Sequence, residues 1–401
     1  MINVLFVDDE PNILSALQRM LRGQRSEWKM SFASSGEEAL RFLAEIDVDV
    51  IVSDMKMPGM DGADLLEKVS ELHPHIVRVI LSGYSEKEGS MRSVGSAHQY
   101  LSKPCDPEVL KTTIANICAQ RELLTDQSLR QLVTRLPSIP SLPGIYVELV
   151  DELGRSDCST RRIAELIRKD IGMTVKILQI VNSAFFGLSR PISDARTAVE
   201  FLGLDTIASL TLGVGVISQI EQRGQGAMFA ELWAHSMSVG VAASNIAAIE
   251  NADAGSDAFT AGLLHDIGRI ILAVNLPEEY RTACALFAAE HISMVDAETH
   301  VFGATHAEVG AYLLGLWGLP SEVVRAVAFH HHPFALPGER FTALTAVHAA
   351  NGILRKAHLE QGTCDTKLNL DYLSQVGLIG RLPVWQEVFG AQSADHVLAV
   401  W

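Results

Sequence analysis

Three carboxylates and one lysine are the first residues of the chain that could carry out chemistry together. Asp8 and Asp9 directly follow one apolar run, Asp54 follows another, and Lys103 follows a third. Clustered carboxylates repel one another, and a hard divalent cation with oxygen ligands relieves that repulsion. Such a group suits phosphoryl transfer, in which Mg²⁺ neutralises the phosphate, a carboxylate attacks phosphorus and a lysine pairs with the developing charge.

A second set of candidate ligands is spread over the later part of the chain. Glu231 and His235 are four residues apart and therefore share a helix face, and His265 is adjacent to Asp266. The other members are His306, the run His330, His331 and His332, and the pair His348 and Asn351. Histidine and carboxylate clusters hold Zn²⁺, Mn²⁺ or Fe, and two such metals activate a water to attack a phosphodiester. A lone histidine on a helix is more often a surface or core residue, and four separated segments weaken that reading without removing it.

The elements that must position the first group alternate between strand and helix patterns. Short apolar runs predict strands at 2–7, 30–33, 48–52, 77–81 and 99–101. Strands separated by helix-length segments indicate βαβ units, so we expect a doubly wound (βα)5 domain of the flavodoxin-like type. The carboxyl ends of its parallel strands converge in one crevice, which would make Asp8, Asp9, Asp54 and Lys103 neighbours.

Helical patterns dominate after residue 104. Asp106 and Pro107 can begin a helix that continues to Leu136, where Pro137 stops it. Further helices are expected at 159–169, 173–185, 194–218, 227–249, 257–274, 277–291, 294–316, 321–331 and 342–357, with a short one near Tyr372. The apolar C-terminus is expected to dock on the body. The fold class is therefore α/β followed by an all-helical domain. The predicted boundaries are 1–120, a connecting helix at 107–136, 137–357 and a C-terminal extension at 358–401.

Two interpretations of the connecting helix stay open. Its first half packs on the α/β domain and the rest is a linker, or the whole helix dimerises or transmits a signal. Its apolar stripe does not form a heptad repeat that is long enough to predict a coiled coil.

Composition excludes some classes of partner. Asp and Glu outnumber Lys and Arg by 48 to 32, for a formal net charge of −16. Unspecific binding to nucleic acid or an acidic membrane needs clustered Lys and Arg, so we expect neither. The cysteines form no C-x-x-C pair, and they are Cys105, Cys118, Cys158, Cys284 and Cys364. Scattered thiols, an N-terminus without a basic signal-peptide start and no apolar stretch long enough to span a bilayer predict a cytoplasmic protein.

The first 120 residues resemble the receiver domain of two-component response regulators. The motifs are VDDEP at 7–11, SDMKMPGMDG at 53–62, LSGY at 81–84 and YLSKP at 100–104. The resemblance makes Asp54 the phospho-acceptor and implies a histidine kinase or phosphotransfer protein as phosphoryl donor. It assigns Mg²⁺ to Asp8, Asp9, Asp54 and the carbonyl of Lys56, and it assigns switch or phosphate contacts to Ser82, Tyr100 and Lys103.

The helical region resembles the HDOD domain, a relative of the HD metal-dependent phosphohydrolases. The motifs are LPSIPSLPG at 136–144, VNSAFFG at 181–187, AVEFLGLDTI at 198–207, GLLHDIG at 262–268, HHHP at 330–333 and VHAAN at 347–351. The HD-GYP cyclic-di-GMP phosphodiesterases are also similar. Their ligand pattern maps onto Glu231, His235, His265, Asp266, His306, His330 and His331, for an Fe, Mn or Zn ion. The chain departs from that pattern at Arg269 in place of Lys, at Asn351 in place of Asp, and in lacking the HHE and GYP sequences.

These resemblances imply a response regulator in which phosphorylation at Asp54 switches an HDOD output domain. HDOD domains are taken to be interaction modules without established catalysis, so the expected output is binding to an unidentified protein, and homodimerisation stays open. The alternative is a metal-dependent phosphodiesterase or phosphohydrolase of the HD-GYP type. A DNA-binding regulator comes last, because the chain has no recognisable helix-turn-helix or basic output segment.

Overall fold

The chain folds into two units, seen in a computed structural model. One unit comprises Met1–Gly215 with Tyr312–Leu319, and the other comprises Val216–Ala311 with Pro320–Trp401. The structure describes residues 2–83, 97–103, 105–121, 129–130, 133–134, 148–149, 152–153, 155, 157–182, 191–204, 207, 226–250, 255–290, 292–335, 341–357 and 368–392.

A parallel sheet forms the start of the first unit. Its strands, β1 to β5 in chain order, are Ile2–Val7, Trp28–Ala33, Val50–Asp54, Val77–Gly83 and Gln99–Lys103. They lie in the order β2-β1-β3-β4-β5 and all neighbours are parallel. The helices that accompany them, α1 to α4, are Pro11–Met20, Gly36–Glu45, Gly62–Leu72 and Pro107–Arg121. The order is that of flavodoxin-like folds, so the predicted doubly wound domain is confirmed.

The ends of the strands differ slightly from the prediction. Asp54 is the last residue of β3 and Lys103 is the last residue of β5, whereas both were expected just beyond their strands. Asp54 is in register with Leu81, and Lys103 is in register with Gly83. The ladder therefore extends to the charged residues themselves, which holds them more firmly than a loop would.

A helical group completes the first unit. Its helices, α5 to α7, are Thr160–Arg168, Ile171–Val181 and Ala195–Leu202. The side chains of Ser159 and Asp194 cap the first and last of these by accepting from backbone N–H groups. The helix expected at 194–218 is interrupted at Gly203, which adopts a φ of 77°, and residues 205–206 and 208–218 lie outside the described part of the chain.

Buried polar contacts join the sheet to residue 134 within the first unit. The backbone N–H of Arg78 donates to His98 Nδ1 (3.0 Å), so the ring proton of His98 is on Nε2, which donates to the carbonyl of Thr134 (2.8 Å). Arg78 Nη2 donates to the same carbonyl (3.2 Å), and the Thr134 hydroxyl lies 3.2 Å from that of Tyr312. The prediction of one helix from 107 to 136 stays a prediction, since residues 122–128 lie outside the described part of the chain.

The described residues of the second unit form helices joined by turns and loops, and they contain no strand. Its helices, α8 to α17, are Gly226–Glu250, Gly255–Leu264, Ile267–Asn275, Pro277–Glu290, Met294–Phe302, His306–Leu316, Ser321–Phe329, Ala343–Ala357, Leu370–Gln375 and Leu382–Gln392. The last turns of α13, from Tyr312, group with the first unit. An all-helical region after the α/β domain is confirmed, and a short helix does contain Tyr372.

Two helices of the second unit were predicted wrongly as continuous. The helix expected at 257–274 is interrupted by a turn at His265 and Asp266. The helix expected at 294–316 stops at Phe302, where Gly303 adopts the left-handed conformation with a φ of 71°, and the next helix starts at His306. Both breaks put candidate ligands at helix ends.

Two further predictions concern membrane-spanning segments and the pairing of cysteines. Among the described residues, no helix is both long and apolar enough to cross a membrane. Cys105, Cys158 and Cys284 carry free thiols. Cys364 and the apolar C-terminus at 396–401 lie outside the described residues.

Candidate phosphorylation and metal sites

The carboxyl ends of β1, β3 and β5 bring the first group of candidate residues together. Lys103 Nζ lies 2.6 Å from Asp8 Oδ2 and forms a second ion pair with Asp54 Oδ1. Asp8 is almost fully buried, and Asp54 is 7% exposed. Asp9 is half-buried beside them. One ammonium group thus bridges two carboxylates that are 46 positions apart in the chain.

Local structure fixes the orientation of both carboxylates. Asp8 Oδ1 accepts a hydrogen bond from the backbone N–H of Glu10 (2.9 Å), and Asp54 Oδ2 accepts one from the N–H of Lys56 (3.2 Å). Burial alone would lower the pKa of Lys103, but its bonds to Asp54 and Asp8 outweigh burial and raise the pKa. The lysine is therefore a permanent cation that partly neutralises the two acids.

Gly62 allows the loop after Asp54 to fold back onto the strand. A Cβ atom at this position would lie 2.0 Å from the carbonyl oxygen of Asp54, where no side chain fits. The N–H of Gly62 donates to the carbonyl of Met55 (2.8 Å), and Asp61 caps the helix that starts here. The Asp61–Gly62 pair of the 53–62 motif is therefore explained by the structure, because Asp61 caps the helix and only glycine fits next to the backbone of Asp54.

The expected roles of three other members of this site are not tested by the described contacts. Ser82 and Tyr100 lie in β4 and β5, but their side chains lie outside the described residues. The side chain of Lys56 is exposed. Their predicted roles stay predictions.

A second site forms around Asp266, in the turn between α9 and α10. His306 Nε2 lies 3.1 Å from Asp266 Oδ1, and His330 Nε2 lies 3.7 Å from the same oxygen. His265 Nε2 lies 3.6 Å from Asp266 Oδ2. Two groups able to hold a metal share this carboxylate, one with His306, His330 and His331 and the other with His235 and His265, and in each group the ligand atoms lie within 4.8 Å of one another.

Hydrogen bonds behind two of the rings aim their lone pairs at this carboxylate. His265 Nδ1 lies 2.7 Å from the carbonyl of Gly262, and His330 Nδ1 lies 2.8 Å from the carbonyl of Val327. A carbonyl only accepts, so each ring carries its proton on Nδ1 and presents an unprotonated Nε2 toward Asp266.

The atoms at the centre of the second site are buried without hydrogen bonds. His265 Nε2, His330 Nε2 and both oxygens of Asp266 have no partner that meets hydrogen-bond geometry among the described residues. Lone pairs that face a buried carboxylate are unfavourable unless a cation lies between them. This donor set fits a divalent transition metal.

The charges of the second site follow from burial and from neighbouring groups. Burial lowers the pKa of His265 to about 4 and holds those of His330 and His331 well below the usual range. Burial opposes ionisation of Asp266, yet Arg269 and the nearby histidines keep its pKa well below its usual range. Arg269 Nη1 lies 3.3 Å from Asp266 Oδ2. The site therefore combines an ionised carboxylate with three neutral imidazoles, those of His265, His330 and His331, and a neutral imidazole is the form that binds metals.

His306 is held by a buried glutamate that sequence reasoning missed. Glu298 Oε2 accepts from His306 Nδ1 (2.6 Å) and from the His306 backbone N–H (2.8 Å). Burial would lower the pKa of His306, but Glu298 and Asp266 raise it to about 9. No motif in the sequence singles out Glu298.

Comparison with known protein families gives two matches, one in the α/β part of the chain and one in the helical part. A family model described as the response regulator receiver domain matches residues 4–115, and one described as the HDOD domain matches residues 139–333. The chain is a response regulator receiver domain followed by an HDOD domain. Receiver domains in general interact with histidine kinases or phosphotransfer proteins, and HD domains in general bind metals. Neither match points specifically to a cyclic dinucleotide phosphodiesterase.

Several known proteins are similar to parts of this chain. An uncharacterised protein of Treponema pallidum is 28% identical over 225 residues, which are 56% of this chain and 44% of that protein. The hydrogenase transcriptional regulatory protein HoxA of Cupriavidus necator is 39% identical over 113 residues, which are 28% of this chain and 23% of that protein. The crystal structure of the MmoQ response regulator of Methylococcus capsulatus is 26% identical, with a TM-score of 0.46, and covers 61% of this chain and 97% of its own. The chain spans less than half the length of these two curated relatives.

The HDOD site differs from the predicted ligand set at its edges. Glu231 is exposed and belongs to neither group of ligands that the described residues form. Asn351 is buried in α15. His348, in the same helix, is hydrogen-bonded to the backbone of His330 rather than directed at Asp266.

Proposed function

We propose that this protein is a phosphorelay response regulator in which Asp54 accepts a phosphoryl group and thereby switches the HDOD domain. The observation that carries the proposal is Lys103 bridging Asp8 and Asp54 at the carboxyl edge of the sheet. A histidine kinase or phosphotransfer protein would supply the phosphoryl group. Asp8, Asp9, Asp54 and the carbonyl of Lys56 would hold Mg²⁺, which supplies charge neutralisation for the incoming phosphate.

The residues of the receiver divide the work of the transfer. An Asp54 carboxylate oxygen attacks phosphorus, the bond from phosphorus to the donor nitrogen breaks, and the nitrogen leaves with its electron pair. Lys103 already contacts Asp54, so it can pair with a phosphoryl oxygen once the carboxylate has become an acyl phosphate. Asp8 is proposed to remain a ligand at the cation site. Ser82 and Tyr100 are proposed to follow the phosphate.

Strand β5 offers a route from the phosphorylation site to the rest of the first unit. It ends at Lys103 and begins at Gln99, whose Nε2 donates to the carbonyl of Gly315 (3.4 Å). The preceding residue, His98, donates to Thr134. A change in the pairing of Lys103 would therefore act on a strand that is hydrogen-bonded to Gly315 and is preceded by a residue bonded to Thr134.

The HDOD domain is proposed to bind a transition metal and to act through protein–protein interaction. Asp266, His306, His330 and His331 would hold one ion, with His235 and His265 on the other side of the shared carboxylate. The ion could be Zn, Mn or Fe, and it would supply a Lewis acid or a structural link between helices. The output partner would be a protein, a second copy of this chain included, without nucleic acid or membrane binding. A cytoplasmic location is proposed from the scattered cysteines and the acidic composition.

Phosphoryl uptake tests the proposed function directly. The wild-type protein with Mg²⁺ and a small acyl phosphate should gain the mass of one phosphoryl group, and Asp54→Asn should gain none, because the amide is not a nucleophile. Asp64→Asn, the same substitution in the first turn of α3, should be phosphorylated like the wild type. Intact-protein mass spectrometry measures the uptake. Labelling of Asp54→Asn at the wild-type level would contradict the proposal.

A further inference from the structure

His348 lies beyond residues 139–333, which the HDOD family model matches, and it links two segments of the second unit. Its Nδ1 lies 2.8 Å from the carbonyl oxygen of His330, and its Nε2 lies 2.9 Å from the backbone nitrogen of Asn369. The ring is completely buried in α15. The two nitrogens of one imidazole therefore join the turn at His330 to the start of the C-terminal segment.

The two partners of His348 leave only one arrangement of its proton. The His330 carbonyl can only accept, and the Asn369 N–H can only donate. The ring therefore donates from Nδ1 and accepts at Nε2. Histidine can bond to both groups at once. An Asn side chain in its place would reach only the His330 carbonyl, and a Gln side chain would reach only the Asn369 N–H.

The C-terminal segment 368–375, here called the brace, is packed closely against α15. The ring of Tyr372 stands edge-on to those of His348 (centroids 5.8 Å apart) and Phe334 (5.9 Å apart). The Tyr372 hydroxyl is 2.9 Å from Thr345 Oγ1, one turn before His348. A Cβ at Gly352 would lie 2.8 Å from Leu368 Cβ, so the brace needs glycine there to approach.

Through His348, the brace supports the residue that presents a lone pair to Asp266. His330 is held at its carbonyl by His348 and at its ring by the carbonyl of Val327. With both points fixed, the ring has little freedom to turn away from the carboxylate. Partners that orient a metal ligand from behind contribute strongly to metal affinity.

We propose that His348 and the brace are positioning elements of the HDOD metal site, in which the brace holds His348 and His348 fixes His330. The inference rests on the proposed metal site. It makes residues outside the matched stretch 139–333 necessary for full metal affinity.

A pair of substitutions separates the two bonds of His348. His348→Asn keeps a donor for the His330 carbonyl and loses the bond to Asn369. His348→Gln can accept from Asn369 and loses the bond to His330. Each full-length variant should bind Zn²⁺ on the order of 10-fold to 100-fold more weakly than the wild type. Competition against a chromophoric chelator measures the affinity, and hydrogen exchange of the Asn369 amide should rise in His348→Asn alone.

Two further variants make the result decisive. Trp385→Phe removes a hydrogen bond to Glu250 elsewhere in the unit, and it should leave Zn²⁺ affinity unchanged even if it lowers stability. His330→Ala should lose affinity because it removes a ligand. Wild-type affinity in both His348 variants, with His330→Ala impaired, would overturn the inference.

Failure of the metal site itself would look different. If the wild type and His330→Ala bind Zn²⁺ equally, or neither binds it, the metal proposal is wrong. The brace is then judged on the metal-free protein, in which His348→Gln should speed amide exchange across residues 330–332. Unchanged exchange there would also reject the brace.

Discussion

His98 shows how one buried ring can depend on a single protonation state. Its Nδ1 accepts from the backbone N–H of Arg78, and its Nε2 donates to the carbonyl of Thr134. A second proton would have to sit on Nδ1, directly against an N–H group. Burial, and then the charge of Arg78, hold the pKa of His98 well below its ordinary value of 6.5. The contact between the sheet and Thr134 therefore exists only with the neutral ring.

This residue predicts an acid-sensitive contribution to stability. A histidine whose pKa is lowered by folding stabilises the fold above pH 6.5, and the contribution is lost as pH falls. The free energy of unfolding should decline below that pH by about 1.4 kcal/mol per pH unit from this group. His98→Gln, which keeps a donor for Thr134 and does not titrate, should decline less steeply by that amount.

Urea unfolding followed by circular dichroism between pH 5 and 8 measures the difference. The other buried histidines are present in both proteins, so their contributions cancel in the comparison. Parallel curves for the wild type and His98→Gln would show that His98 does not titrate differently on folding.

At the scale of elements, the HDOD site depends on the close approach of α10 and α13. A Cβ at Gly268 would lie 1.9 Å from the carbonyl oxygen of His306 and 2.9 Å from its Cα. Both atoms belong to backbone, which cannot move aside as a flexible side chain would. Since Gly268 is two residues after Asp266, the approach brings the carboxylate to His306.

Gly268→Ala should therefore separate Asp266 from His306. The expected cost is about 1–3 kcal/mol of unfolding free energy, as for other overpacked cores, together with weaker Zn²⁺ binding. Gly255→Ala is the matched control, because a Cβ there meets nothing within 4 Å and should be neutral or slightly stabilising. Thermal unfolding and chelator competition check both. Equal behaviour of the two variants would mean that the approach at Gly268 is not needed.

The same elements show how far sequence reasoning reaches. The alternation of apolar strands and amphipathic helices predicted the sheet and the first site, because residues at the ends of parallel strands must meet. Helix breaks were missed, because Leu263, Leu264 and Ile267 continue the apolar pattern through the turn at His265. A signal did exist for the second break. Thr305 and Glu308 cap each other reciprocally at the start of α13, and this T-x-x-E pattern follows Gly303.

Other features of the second site had no signal in the sequence. Glu298 acts through a contact with His306 across the helix break at Gly303, and the brace acts through the contact of Asn369 with His348, which lies in another helix. A single sequence carries no record of such contacts unless a motif accompanies them. Glu231 was chosen because it shares a helix face with His235, yet it is exposed, since helical spacing says which residues share a face and not which face is buried.

At the scale of the whole molecule, a response regulator needs its phosphorylation site to be thermodynamically coupled to an output surface, and the proposed metal site is the first candidate. Helix α13 begins at His306, and its residue Gly315 accepts from Gln99 of β5. The helix therefore begins at a candidate metal ligand in the second unit, and its residues from Tyr312 belong to the first unit. A continuous helix is a stiff element, so a displacement at Gly315 need not be absorbed locally.

Coupling of this kind is reciprocal, and this leads to a prediction for the full chain. Beryllofluoride, a phosphoryl mimic, should change the dissociation constant for Zn²⁺ by some factor, about 5-fold to 150-fold in typical cases. Zn²⁺ should then change the dissociation constant for beryllofluoride by the same factor, because both describe one thermodynamic cycle. Asp54→Asn should bind Zn²⁺ as the unmodified wild type does, with or without beryllofluoride. Isothermal titration of each ligand with and without the other measures both factors. If both ligands bind and neither affects the other, the phosphorylation signal reaches a surface other than the metal site, and the HDOD cluster is a structural centre rather than part of the switch.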